Sequence, residues 1–274
     1  MRLGTSSPLA HKNPEEWAKK HKDLGLSAIN FPLNFQEDAR LLQAYIKAAK
    51  ENNLILAEVG VWRNTMDPDE GKRKEAIAYT IGQLELADQI GAACCVNILG
   101  SRGNRWDGAC KENYSMETWN LGVKTIREII DAVKPKNTYF TIEPMPWMYP
   151  MGPDEYVKLL EEVDRERFAV HMDVFNWMTS PQRYFMNEEF IEECFDKLGH
   201  AVKSCHLKNV HLEENYTIHF KETCVDKGGV NIKHLIETGE KYNPQMPFII
   251  EHLDTDEEYL ESINYIQKLM RKAQ

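Results

Sequence analysis

Four residues of this chain have the type and placement to do chemistry together: Glu143, Asp173, His206 and Glu251. Each ends a short apolar run, in Thr141-Ile142-Glu143-Pro144, His171-Met172-Asp173, Ser204-Cys205-His206 and Ile249-Ile250-Glu251-His252. An ionised carboxylate at the edge of an apolar strand is costly unless something compensates it. Three carboxylates converging on one rim would also repel one another, and a bound dication resolves both problems. Taken singly, each residue also reads as a rim carboxylate paired with Lys or Arg, or as a hydrogen-bonded histidine. Four equivalent strand ends together favour the metal. Three carboxylates and an imidazole, without thiolate, suit Mn²⁺, Mg²⁺, Co²⁺ or Zn²⁺ and argue against a structural cysteine-zinc site. Such an ion has open positions for a carbonyl and its neighbouring hydroxyl, and would polarise the carbonyl toward an enediolate. Glu143 and Glu251, with a free oxygen each, can take a proton from one face and return it to another face or to the next carbon.

The elements that must position these residues follow from periodicity. Strands are predicted at 2–4, 28–31, 55–61, 93–98, 139–143, 169–173, 202–206 and 248–251 as short apolar runs, the signature of strands buried on both faces. Helical stripes fall between them, such as Leu41, Leu42, Tyr45, Ile46 and Ala49, or Trp119, Val123, Ile126, Ile130 and Val133. Strict strand–helix alternation implies an all-parallel sheet. A doubly wound open sheet would carry a glycine-rich phosphate turn after its first strand, and Gly4-Thr5-Ser6-Ser7-Pro8 lacks that spacing. The expectation is one (β/α)8 TIM barrel over residues 1–274, with reactive groups where strands end and βα loops begin.

Composition narrows the partners. With 33 Lys and Arg against 43 Asp and Glu, the net charge is −10. That balance disfavours a nucleic-acid footprint and favours a small, uncharged or weakly charged substrate. No run reaches the roughly 18 apolar residues of a membrane span, so no membrane partner is expected, and the N-terminus lacks the apolar core of a signal peptide. Six cysteines without a C-x-x-C pair read as reduced, mostly buried thiols. Cytoplasm is the expected location, and the sequons at Asn113 and Asn215 are expected to carry no glycan.

The motifs Ile142-Glu143-Pro144, Met172-Asp173, Cys205-His206-Leu207-Lys208 and Ile250-Glu251 resemble the xylose-isomerase-like barrel superfamily. It includes sugar-phosphate isomerases, ketose 3-epimerases, inosose isomerases and dehydratases, and the endonuclease IV group. The likeness to the ketose epimerase branch implies one divalent ion, Mn²⁺ first, with Mg²⁺, Co²⁺ or Zn²⁺ as alternatives. It implies Asp173 and His206 as ligands, and Glu143 and Glu251 as ligands and acid/base pair. Lys227-Gly228-Gly229-Val230-Asn231 looks like the family's glycine turn. One position departs: three residues beyond the strand-six aspartate, where these enzymes commonly carry a histidine, stands Asn176. An amide hydrogen-bonds a sugar hydroxyl but does not titrate near neutrality. That departure raises the standing of a related substrate or of a β-elimination.

Around the quartet, His171, Asn176, Lys208, His211, Trp62 and Trp147 are candidate substrate contacts. All but Asn176 have a plainer alternative: a core histidine for His171, exposed loop charge for Lys208 and His211, rim packing for the tryptophans. His252 is expected to point away from the site, and Arg102 and Arg105 to be solvated loop charges. The reading is a metal-dependent isomerase or epimerase of a keto-sugar or polyol ketone, with a small carbohydrate as partner. A lyase or dehydratase on a keto-inositol or 3-oxo-glycoside is the alternative. An endonuclease IV-like phosphodiesterase would need three zinc ions and a richer ligand set. Barrels of this kind often pair, so a homo-oligomer is a further expectation.

Overall fold

A computed structural model of the chain describes residues 1–271. The elements alternate as β1 (Arg2–Thr5), α1 (Pro14–Asp23), β2 (Ala28–Asn30), α2 (Ala39–Glu51), β3 (Ile55–Gly60), α3 (Glu70–Ile90), β4 (Cys94–Ile98), α4 (Met116–Val133), β5 (Phe140–Glu143), α5 (Pro153–Val163) and β6 (Phe168–Met172). After β6 come α6 (Pro181–Phe185), α7 (Asn187–Leu198), β7 (Val202–Leu207), β8 (Asn209–Glu213), β9 (His219–Thr223), α8 (Ile232–Tyr242), β10 (Pro247–Ile250) and α9 (Asp256–Arg271). All eight predicted barrel strands are present within two residues of their predicted ends. Two pieces were not predicted: the short α6, and the antiparallel hairpin β8–β9 in the connection after β7.

Eight strands form one sheet in the order β1-β10-β7-β6-β5-β4-β3-β2, and each bonded pair is parallel. The sheet curls until its two edges meet, where the Ser27 amide donates to the Leu3 carbonyl at 2.8 Å. Gly4 permits that approach, since a Cβ there would lie 2.4 Å from the Ala28 carbonyl oxygen. The result is a nearly closed β/α barrel. Most of the apolar core lies between strands and helices, and Ala28, Ala57 and Ile249 form a small separate cluster. Helix starts are fixed by side chains that accept from free backbone amides: Asn13 for α1, Asp38 for α2, Asp69 for α3, Ser115 for α4 and Asn231 for α8.

The six cysteines are free thiols, and all but Cys110 are buried. Asn113 is buried too, its amide donating to the carbonyls of Gly108 and Trp147. Among the described residues no helix is long and apolar enough to cross a membrane.

The glycine turn at 227–231 fastens the hairpin. Gly229 N–H donates to the Val210 carbonyl at 3.0 Å, and the Asn209 amide bonds Val225 and Val230. A Cβ on Gly228 would sit 2.3 Å from the Asn209 side chain, so glycine there is a condition of the contact.

Candidate metal centre

Strand order explains why the four residues meet. β10, β7, β6 and β5 are consecutive in the sheet, and Glu251, His206, Asp173 and Glu143 stand at or just past their C-terminal ends. One ligand atom of each lies within 4.8 Å of every other, and all four residues are buried. His206 Nδ1 faces the three carboxylates, at 2.9 Å from Glu251 Oε2, 3.2 Å from Glu143 Oε1 and 3.8 Å from Asp173 Oδ2.

The donors fit a dication. Asp173 Oδ2 is buried without a hydrogen-bond partner, although the Lys208 ammonium lies 2.9 Å away. The other oxygen, Oδ1, accepts from the amides of Phe175 and Asn176 and so fixes the carboxylate plane. Burial raises the Glu143 carboxyl above its ordinary value, and the neighbouring Glu251 and Asp173 add to the rise against the pull of His206. Burial would also raise Glu251, but His206 and Lys208 overcome it and hold that carboxyl at about 2. Asp173 is likewise held well below the carboxylate range, with burial outweighed by Lys208 and His206. Burial opposes charge on His206, yet Glu251, Glu143 and Glu58 raise it well above its usual value. Positive charge is what this cluster demands.

Beneath the ring lies a second group. Glu58, fully buried on β3, places Oε2 3.4 Å from His206 Nε2 and Oε1 2.9 Å from His171 Nε2, and it accepts from the Ser204 hydroxyl. His171 does share a side with Asp173, as strand alternation requires. It sits one layer deeper, packed edge-on to His206 with ring centroids 4.1 Å apart, and does not line the cavity.

The other candidates divide. Lys208 is an exposed loop charge in neither position nor contact: it is 1% exposed and its ammonium bridges Asp173 Oδ2, Glu251 Oε1 at 2.8 Å and Glu222 Oε1 at 3.0 Å. Asn176 turns its amide to Glu143 Oε1 at 3.1 Å and the Pro144 carbonyl at 3.0 Å, so it holds Glu143 in place. Trp62, with a left-handed backbone (φ 52°), folds its indole over Gly60 and lines the cavity. Trp147 donates to the Asp107 carbonyl at 2.6 Å and lines the neighbouring space. His211 is exposed on β8 and lines neither.

His252 corrects the expectation that it points away. Its left-handed backbone (φ 56°) breaks the strand's alternation and turns the imidazole to the rim, with Nδ1 3.2 Å from both Glu222 oxygens. Glu222 was missed altogether. The period-two pattern Asn209-Val210-His211-Leu212-Glu213 was the available signal for the hairpin that carries it. Arg105 pairs with Asp107 and Arg102 bonds the Met66 carbonyl, so neither guanidinium is spent on solvent alone.

Over the quartet opens a cavity of about 370 Å³, walled by Ser6, Asn30, Trp62, Ile98, Trp106, Asp107 and Met145. That is at the small-ligand end of ordinary binding cavities. A second cavity of about 560 Å³ adjoins it, with Asp107, Met145 and His252 in both walls.

A barrel with acidic and imidazole donors at its C-terminal rim is thus the class this chain defines. The model of the xylose isomerase-like TIM barrel family matches residues 18–269, and the chain belongs to that family. No curated protein matches it by sequence. Among solved structures it is similar to a xylose isomerase-like TIM barrel protein from Mycobacterium smegmatis in complex with magnesium, with 17% identity over 98% of this chain and 94% of that one, TM-score 0.70. It is also similar to D-psicose 3-epimerase from Clostridium cellulolyticum H10, solved with D-tagatose, at 15% identity over 99% of each chain, TM-score 0.71. A probable 3-DHS dehydratase from Bacillus anthracis matches at 14% identity over 97% of this chain and 99% of that one, TM-score 0.74. At these identities the likeness establishes the shared fold.

Proposed function

We propose that this chain is a divalent-metal-dependent isomerase or epimerase of a keto-sugar or related polyol ketone. One observation carries the reading: Glu143 and Glu251 come from the outer two of four adjacent strands and flank Asp173 and His206 on a single buried cluster. Glu143, Asp173, His206 and Glu251 would hold the ion, Mn²⁺ first by the likeness to ketose epimerases, while these oxygen and imidazole donors also suit Mg²⁺, Co²⁺ or Zn²⁺. When bound, it supplies Lewis acidity toward a carbonyl and an adjacent hydroxyl.

The chain's own residues do the rest. A glutamate removes the proton beside the carbonyl, leaving the substrate as an enediolate, and the other glutamate returns a proton from its side of the cavity. Asn176 keeps Glu143 aimed by its amide hydrogen bond, and His206 and Lys208 keep Glu251 ionised. Trp62 and Trp106 supply flat apolar walls for a sugar ring.

A second reading, β-elimination, starts from the same abstraction. His252 favours it: the hydrogen bond it donates to Glu222 raises its pKa, against the effect of burial, and places an acid at the rim where a departing oxygen needs a proton. Incubating the Mn²⁺-loaded protein with ketoses and oxo-glycosides in D₂O separates the two. Deuterium uptake into recovered sugar supports isomerisation, and release of a fragment or water supports elimination. If Glu143→Gln and Glu251→Gln bind metal and keep full activity, the proton-transfer mechanism is wrong.

A further inference from the structure

The second cavity has no task in proton transfer at a free monosaccharide. Its walls differ from those of the metal cavity in bringing together the apolar side chains of Trp147, Phe175, Met178, Val210, Ile218 and Phe220. Ile218 is 62% exposed at the hairpin end of this wall, an apolar side chain left uncovered. The two cavities share Asp107, Met145 and His252 and so adjoin beside the quartet. Met145, unbranched and adaptable, stands in the shared wall.

The charge pattern selects the occupant. Among the described residues, two groups in the second wall can carry positive charge, and both are engaged: Arg105 pairs with Asp107, and His252 with Glu222. A phosphate would meet the Glu222 carboxylate and find no free cation, whereas phosphate recognition calls for unpaired Arg or Lys donors. The volume of about 560 Å³ is that of a small-molecule site and too little for a folded partner.

We propose that this cavity is a subsite for an uncharged aromatic or alkyl group attached to the sugar, so that the substrate is a glycoside-type ketone with an apolar aglycone. This rests on the sugar ring lying over Glu143, Asp173, His206 and Glu251, as the proposed function has it. Free ketoses would then occupy half of the site, and sugar phosphates would be rejected.

The test uses binding, independent of turnover. Phenyl and methyl D-glucopyranosides, both anomers, are titrated calorimetrically into Mn²⁺-loaded protein. The phenyl glycoside is expected to bind roughly tenfold or more tighter, as burial of its ring predicts. Ile218→Asp and Thr179→Trp, both at exposed positions of the wall, should bring the ratio near one, the first by adding charge and the second by filling space. Equal affinities in the unaltered protein, binding of neither glycoside, or an unchanged ratio in both variants would overturn the subsite. Deuterium uptake from D₂O reads the proposed function separately. Uptake without an aryl preference removes the subsite and leaves the function; an aryl preference without uptake does the reverse.

Discussion

Glu58 Oε2 stands 3.4 Å from His206 Nε2, on the far side of the ring from the three carboxylates that Nδ1 faces. One imidazole is thus held between a fully buried carboxylate below and the candidate metal donors above. A carboxylate behind a ligating histidine fixes its tautomer and strengthens it as a donor. Burial would raise the Glu58 carboxyl, but His206 and His171 hold it ionised, so it faces Nε2 as an anion, although Oε2 and Nε2 do not form a hydrogen bond in this geometry.

Glu58→Gln is therefore expected to weaken metal affinity by roughly 10–100-fold without removing a ligand. Calorimetric titration with Mn²⁺ checks this. Affinity equal to that of the unaltered protein would mean that the ring is oriented by packing alone.

Glu143→Gln and Glu251→Gln should each lower kcat by roughly 10²–10⁴-fold, the usual contribution of a positioned acid or base. Metal content measured on the same samples separates loss of proton transfer from loss of the ion.

Lys208 is the ammonium that balances Asp173, Glu251 and Glu222. Removing one partner of a buried ion pair costs about 3–5 kcal/mol. Lys208→Met should therefore destabilise the metal-free protein by about that much, and the loss should shrink with saturating Mn²⁺, which supplies positive charge to the same carboxylates. Thermal melts with and without chelator read both values.

Metal loading and pH are linked. The carboxylates raise the His206 pKa, so an ion at Nδ1 must displace a proton, and affinity should climb with pH until that proton is gone. Titration in buffers of different ionisation heat counts the protons released. Folding follows its own signs. Raised His206 stabilises the metal-free fold at low pH and loses that effect as pH rises through its folded pKa. Depressed Glu251 contributes above the ordinary carboxylate range and loses its contribution as pH falls toward about 2. Acid unfolding monitored by circular dichroism tests the second.

The sequence was most legible where local rules govern. Apolar runs ending in Glu143, Asp173, His206 and Glu251 announced both the strands and the meeting point, because a closed parallel sheet brings consecutive strand ends together. Lys208 was not legible as a buried cation, since its carboxylate partners are distant in sequence: Asp173, Glu251, and Glu222 fourteen residues on and across a hairpin. His252 escaped because a single left-handed residue undoes the alternation used to place it. His171 was assigned to the side of Asp173, but a substrate contact and a core histidine both stayed open, as strand periodicity specifies facing and says nothing of layer.

The hairpin β8–β9 leaves and rejoins the chain at one place, since Asn209 and Thr223 are paired partners at its base. Its tip therefore lies outside the closure of the barrel. Insertions or replacements near Ile218 can reshape the roof of the second cavity while the strand ends below keep their registration. On the proposed reading, chemistry and selectivity would be lodged in separable stretches of sequence, and one could be altered by selection or by design while the other stands.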